Sequence, residues 1–435
     1  MFSLHEITKI RLCRAAFIAL CGVPTCAVVF WCVAVRLPIY RQIHERAIAS
    51  ELGLHAQLFK VTTPRPGTTL YERLDLFDPE TKQLLARLPF VEMESSGTEI
   101  TITLPFPSII NGTRLDLVWQ SALAHVRESR SWQRLRFEAR NLTLHLNHGD
   151  DQTLTQLHGE IHSGADDAQM ALSFRLATSG ENEADPSQMT LVRHRASNQP
   201  TSEFRFITGN SPLPCCLAAA VVPNINGLGK ASTFQGTISA TENGSGWTTS
   251  LKGELVDVNL DGLFRGRFQH RLGGTARVRL DGVTVRGGRI EAAAGQMIAG
   301  PGVISRSLIN SAQSSLKLNA LPVAMSGSSN VLNYHQLCLE FQVDANGITV
   351  LGTCPQQPGA ILIDHQGLVL VRQGKNERQP ALNLLRTLVP NGELQVPVAQ
   401  ETDWLSHVLP VPSVNPRAGN EEPLPRATKL DVMRR

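Results

Sequence analysis

Every second residue is apolar in segment after segment of this 435-residue chain. Ile100, Ile102 and Leu104 alternate with Thr101 and Thr103; Leu142, Leu144 and Leu146 alternate with Thr143 and His145. Met170, Leu172, Phe174 and Leu176 alternate with Ala171, Ser173 and Arg175. The period recurs at Phe204/Phe206, Val278/Leu280, Leu337/Leu339/Phe341/Val343 and Leu368/Leu370. A period of 2 lines up side chains on one side of a strand, so each segment reads as a strand with one apolar face. Turn signals separate them: Asn147-His148-Gly149, Asn243-Gly244, Asp261-Gly262, Asp281-Gly282, Gly287-Gly288 and Asn346-Gly347. Consecutive hairpins predict a mainly β chain, an elongated antiparallel meander with few short helices. Two helices interrupt it, over Val303 to Leu316 with Ile304, Leu308, Ala312 and Leu316 on one face, and over Ala381 to Leu388 with Leu382 and Leu385.

Such strands need a cover for their apolar face. Helices are too few to supply a layer, and aromatics, the bulkiest core fillers, are only 5% of the chain. A closed barrel, a face-to-face sandwich and a trough lined by acyl chains all meet the need, and composition does not choose among them.

Ala15 to Val35 carries no charge, about 21 residues and roughly 31 Å of helix, the thickness of a hydrocarbon core. This predicts a transmembrane helix over 15–36 behind a short cytoplasmic tail, 1–14. Pro24 is tolerated in such a helix, and Trp31 and Tyr40 lie where amphipathic rings favour the interface. The stretch is long for a cleaved signal and runs directly into Arg36. Leu20, Thr25 and Trp31, which precede Cys21, Cys26 and Cys32, are poor neighbours for lipid attachment. These cysteines and Cys13 read as small membrane residues. Lys9, Arg11 and Arg14 on one side balance Arg36, Arg41 and Arg46 on the other, so charge alone leaves the orientation tied. A membrane-proximal helix follows over 37–53, with Ile39, Ile43, Ala47 and Ile48 at helical spacing and Gly53 as its stop. Residues 54–389 form the β-rich domain, and the proline-rich 390–435 reads as a mostly disordered tail.

The chain has 41 Lys+Arg against 38 Asp+Glu, a formal charge of +3 without a basic run, which excludes a nucleic-acid footprint. Enzyme signatures fail one by one. His145/His148 and His158/His162 have the wrong strand spacing for a shared ion, since residues three apart point to opposite faces and residues four apart lie about 13 Å apart. Gly229-Lys230 is followed by Ala231 and lacks the first glycine of a phosphate loop, with Asn224 in its place. Gly209-Asn210-Ser211-Pro212 ends in Leu213 where a nucleophile elbow needs glycine. Asp150-Asp151 and Asp166-Asp167 sit in polar, turn-like stretches. No catalytic, metal or cofactor site is predicted.

Cys338 and Cys354 flank Ala345-Asn346-Gly347 symmetrically. A three-residue hairpin loop would set them directly opposite, with Cα atoms about 4.5–5.5 Å apart and within disulfide range in an oxidising compartment. A register one residue off would leave two buried thiols instead. Cys215-Cys216, after Pro-Leu-Pro, reads as packed apolar positions at a loop-to-helix start.

Two stretches carry a family resemblance. One runs from the membrane segment through Ile48-Ala49-Ser50-Glu51-Leu52-Gly53, a strand over Leu58 to Val61, Thr69 to Pro79 and Leu84-Leu85-Ala86. The other comprises Phe234-Gln235-Gly236, Gly253-Glu254-Leu255, Gly273-Gly274-Thr275-Ala276 and Gly288-Arg289-Ile290-Glu291. In layout the chain resembles the AsmA-like envelope proteins, of the bridge-like lipid-transfer group built from repeating β-grooves. The resemblance implies a single-pass inner-membrane protein with its bulk in the periplasm. Its β-groove would bind or transport phospholipid and help outer-membrane biogenesis or maintenance. The partners implied are phospholipid or another acyl-chain ligand, the membrane and an envelope protein. The groove lining would then comprise Ile100, Ile102, Leu104, Leu142, Leu144, Leu146, Met170, Leu172, Phe174, Phe204, Phe206, Val278 and Leu280. About 20 strands at roughly 4.8 Å each would give a groove of about 95 Å, short for a bridge between two membranes. The contrasting reading is a membrane-tethered pair of β-sandwiches that cover each other and bind an envelope partner through their loops.

Overall fold

The computed structural model describes residues 11, 14–34, 36–127, 134–146, 151–177, 185–195, 200–219, 222, 225–244, 246–265, 267–322, 329–375, 377–389 and 409–410. Residues 14–34 are helical throughout, but the hydrogen-bond ladder changes type inside the uncharged stretch. Ile18–Gly22 is a π-helical turn, and α1, Val23–Ala34, follows as 12 residues of α-helix. Pro24 accounts for the change, because it has no N–H for the Leu20 carbonyl and its ring pushes that carbonyl aside. No helix among the described residues is long and apolar enough to cross a membrane. The expected spanning helix over 15–36 is therefore not formed as one element.

Helix α2, Pro38–Leu52, has the limits its sequence predicts, with proline in its first turn and Gly53 at φ 67° bonding back to the Ala49 carbonyl. Tyr40, Ile48 and Leu52 pack on the sheet, whereas Ile39 and Ile43 stay 62% and 56% exposed. The Tyr40 ring stacks edge-on against His44, whose Nδ1 lies 3.2 Å from the Tyr71 hydroxyl, so Tyr40 anchors the helix to the domain.

The strands begin with β1 (His55–Arg65), β2 (Thr68–Phe77), β3 (Leu84–Ser96), β4 (Glu99–Leu104) and β5 (Ser108–Asn111). After α3 (Leu115–Arg127) come β6 (Arg134–His145), β7 (Gln152–Ser163), β8 (Asp167–Leu176), β9 (Ser187–His194) and β10 (Thr201–Ile207). Then follow β11 (Leu213–Pro214), β12 (Thr233–Asn243), β13 (Gly246–Asn259) and the short α4 (Leu260–Phe264). Beyond it lie β14 (Leu272–Gly273), β15 (Thr275–Arg286), β16 (Arg289–Ala299), β17 (Gly302–Ser305) and α5 (Arg306–Ser315). The last elements are β18 (Asn319–Ala320), β19 (Val331–Tyr334), β20 (Gln336–Asp344), β21 (Gly347–Gly352), β22 (Ala360–Ile363), β23 (Val369–Arg372) and α6 (Leu382–Leu388).

Twenty of these strands join one hydrogen-bonded sheet; β14, β17 and β19 make a small second one. Among the described strands β1 pairs only with β2 and β21 only with β20, so the large sheet is open and not closed into a barrel. It is predominantly antiparallel, as expected, with one departure. β4 and β5 lie parallel to β6, and α3 is the crossover that this geometry requires. The sequence reading missed that helix, although Leu115, Trp119, Leu123 and Val126 repeat with helical spacing.

Two glycine signals also act differently from their prediction. Asp281-Gly282 is a bulge inside β15, where Leu280 stands opposite Gly295 and Gly282 opposite Ala294. Asp261-Gly262 lies in α4, whose start is capped by the Asn259 side chain accepting from the Gly262 N–H at 3.1 Å. Gly287-Gly288 and Asn243-Gly244 do sit between paired strands. Asn147-His148-Gly149 falls outside the described residues, as do 1–10 and most of 390–435. The helix expected from Val303 starts later, at Arg306, because Val303 and Ile304 pair in β17 and Ser305 caps the Leu308 N–H. Leu368 precedes β23 and is 47% exposed.

Candidate functional site

The sheet's register builds one continuous apolar row. Met93 stands opposite Ile102, Ile102 opposite Phe137, and Phe137 opposite Gly159. The row continues through Leu172, Met189 and Phe206, then Ile238, Leu251 and Val283. It ends on Ala293, Val343 and Ile348. The row crosses from β3 to β21, about 58 Å at ~4.8 Å per strand. At Gly159, where the row lacks a side chain, a Cβ would lie 3.2 Å from a Leu172 methyl and 3.5 Å from the Phe137 Cβ. The adjoining row is polar apart from Ala171: Thr101, Arg136, Glu160, Ala171, Thr190, Arg205, Ser239, Ser250 and Thr284. The pleat thus sorts apolar from polar side chains across most of the sheet.

Bulges keep that sorting intact where strands slip. Gln156, at φ 51°, lets Leu154 and Leu157, three apart, both bury, and Asp257 at φ 56° does the same for Val258 next to Leu255. Positive φ at these non-glycine residues has a backbone cost that the retained apolar burial offsets.

The predicted lining residues separate into four environments. Ile102, Leu172 and Phe206 stand in the continuous row, half-buried, with Ile100 in the next apolar row opposite Leu135. Leu104, Leu142, Leu144 and Phe174 are buried in a filled cluster with Leu58, Tyr71 and Leu154, and Leu146 packs against it. Met170 and Phe204 lie under α3, where Trp119 meets the Phe204 ring edge-on at 5.3 Å beside Leu123 and Val126. Leu280 stands between Gly253 and Gly295, and Val278 joins the C-terminal cluster through Leu255 and Met297.

At the C-terminal end the same face is roofed. Sheet residues Ile290, Ala293, Met297, Leu339, Phe341, Val343, Ile348 and Val350 form one wall of a cavity of about 440 Å³. Ile304, Leu308, Ala312 and Leu316, the helical stripe read from the sequence, form the roof with Leu384 of α6 and Leu409. Every lining residue is apolar, so a water entering would find no side-chain partner. The cavity is open on one side, and its lining offers only apolar contacts.

The roof is fastened by a buried histidine. His270, 4% exposed, donates from Nε2 to the Thr387 carbonyl of α6 at 2.9 Å, and its Nδ1 lies 2.9 Å from the Ser307 hydroxyl of α5. Burial lowers its pKa, partly opposed by the Thr387 hydrogen bond.

The hairpin between β20 and β21 has a two-residue loop, with Asp344 opposite Gly347. This is one residue off the symmetric register expected for Cys338 and Cys354, and Leu339 pairs with Gly352. Both cysteines are buried free thiols, hydrogen-bonded to each other. Burial, followed by that contact, pushes the Cys338 thiol up to about 12. Cys215 and Cys216 are likewise buried, in a 3-10 turn over Cys215–Ala218. His145 pairs with Asp151 at 2.6 Å, His148 lies outside the described residues, and His158 and His162 are exposed. Among the described residues no cluster of three or more His, Cys, Asp or Glu could hold a metal ion. No known family, characterised protein or solved structure matches the chain.

Proposed function

We propose that this is a membrane-anchored envelope protein whose sheet face binds phospholipid or another acyl chain and carries it along the apolar row. One observation supports this reading above the others. From Met93 to Val283 the paired row is half-buried, whereas Ala293, Val343 and Ile348 at its far end are buried. A filled protein core buries its central positions most. A surface evolved for a transient apolar ligand leaves them accessible along a continuous path.

The anchor has its own support. Phe17, Ile18, Leu20, Val28, Val29 and Phe30 are all more than half exposed on uncharged helical turns, and the exposed Ile39 and Ile43 continue the apolar surface onto α2. Inner-membrane placement with the β domain in the periplasm belongs to the same proposal, along with a role in outer-membrane upkeep.

The test uses the full chain in detergent micelles with a fluorescent phospholipid. Uptake near one lipid per protein is expected, and Phe206→Gln, which places a polar amide in the middle of the row, lowers it at least fivefold. A protein that carries no lipid after purification and takes none up is instead the tethered assembly module.

A further inference from the structure

We propose that residues 260–272, together with the turn before β12 and the start of α5, form a docking surface for an anionic phospholipid bilayer. The inference rests on the acyl-chain reading of the sheet face and adds the place where the domain meets a lipid surface.

Charge marks the place. Three segments distant in sequence meet at the end of the sheet where β13 and β16 finish and β15 starts. Helix α4 contacts the 3-10 turn Ile225–Leu228, and a Cβ on Gly227 would come within 3.0 Å of the Arg267 guanidinium. The Ser305 N–H donates to the Arg271 carbonyl at 2.8 Å, which brings Arg306 alongside. Segments 225–232, 257–272 and 304–307 carry Lys230, Arg265, Arg267, Arg271 and Arg306 against Asp257 and Asp261. Five cations against two carboxylates leave an excess of +3, the formal charge of the whole chain, so charges over the rest of the chain cancel. Asp261 lies 3.9 Å from both Arg265 and Arg271, a loose and shared pairing, and those two side chains are 83% and 63% exposed. The linear sequence hides this cluster because its cations lie in separate segments that only the fold assembles.

Chemistry then chooses the partner. Phe264 and Phe268 stand half-buried among the cations, their rings 5.2 Å apart, and basic side chains beside half-buried aromatics match the headgroup level of a bilayer. The apolar cavity lies next to them. Leu272 and Ile304 pair between β14 and β17 and line it, and they adjoin Arg271 and Ser305 in the chain. Basic side chains therefore border an open-sided apolar wall, the combination that an anionic headgroup and its hydrocarbon tails require. A nucleic acid or an acidic protein surface has no use for that wall. Each Lys or Arg held close to an anionic bilayer strengthens binding roughly fivefold, so even part of this cluster gives a measurable attraction.

The test places the full chain in phosphatidylcholine nanodiscs, which accommodate its uncharged N-terminal stretch. Vesicles of phosphatidylcholine alone, or with about 30% phosphatidylglycerol, are then added and floated. Capture of the anionic vesicles should be at least tenfold greater, and should fall at least fivefold as salt rises from about 0.1 M to about 0.5 M. Arg265→Glu combined with Arg271→Glu should lower it at least tenfold. Arg286→Glu combined with Arg289→Glu, at the opposite end of β15 and β16, should leave it within twofold. Lys230→Glu, on a separate exposed turn, should lower it about threefold and keeps the test decisive if the double variant fails to fold. Equal capture of both kinds of vesicle, or equal loss from the two arginine pairs, overturns the docking surface. Tighter binding to a single-stranded RNA than to the anionic vesicles marks a general polyanion site and overturns it too. Absent capture in a chain that still takes up the fluorescent phospholipid overturns the docking surface alone. Intact capture in a chain that takes up none leaves the surface standing and overturns only the sheet-face reading.

Discussion

The middle of the sheet and its C-terminal end use one face in opposite ways. Between β4 and β15 the apolar row is half-buried; Ile102, Phe137, Leu172 and Phe206 pack on the buried N-terminal cluster, and α3 covers the neighbouring Met170 and Phe204. From β16 to β23 the face is covered by α5 and α6, which leave an open-sided apolar cavity against the sheet. The strands are alike in both regions. What differs is the helical cover, so the fate of an apolar strand face is set by what the chain lays across it and not by the strand itself.

A cavity-forming substitution should break this comparison most sharply. Leu362, 1% exposed in the roofed end, should cost about 2–5 kcal/mol when changed to alanine. Leu172, half-buried in the open row, should cost under about 1.5 kcal/mol for the same change. Chemical denaturation of the two variants gives the ratio, and equal costs would mean that the middle is as tightly filled as the end.

Acidification should loosen the roofed end selectively. His270 has a lowered pKa when folded, so the unfolded chain takes up its proton first, near the ordinary 6.5. The stability it contributes is complete above that value and is lost as pH falls through the lower folded value. The protection of α6 amides, corrected for intrinsic exchange, should therefore fall below about pH 6.5 by more than that of β6–β10, and His270→Gln should flatten the difference.

The last prediction concerns Cys338 and Cys354. Their contact predicts that they form a disulfide in an oxidising compartment, and closing a loop of about 15 residues would then add about 3 kcal/mol by constraining the unfolded chain. Alkylation of both without prior reduction, read by mass spectrometry on protein from the envelope, would show that they stay as thiols.

Much of the fold was legible in the sequence because the strand period survives at the level of single residues. The segments around Ile102, Leu172 and Phe206 were placed on one face from alternation alone, and pairing brought them into one row. The α5 stripe Ile304, Leu308, Ala312 and Leu316 was likewise visible, but nothing local showed that it roofs a cavity. Spacing failed where backbone geometry intervened. Leu142 and Leu144 carry the same alternation as Leu172 yet lie in a filled cluster, because they stand where Leu58, Tyr71 and Leu154 close over that part of the sheet. The cysteine hairpin was missed by one residue, since loop length and not symmetry fixes register. The uncharged N-terminal stretch was read by composition, while the ladder change before Pro24 depends on a missing N–H.

By itself the sequence determined the strand content, the single apolar face and the uncharged N-terminal stretch, because alternation and charge are local properties. Tertiary structure decided that the sheet stays open, that one row runs from Met93 to Ile348, and that its end lines an open-sided cavity. Those features depend on which strands pair and which helices lie across them, and a pairing across hundreds of residues leaves no local mark on either partner.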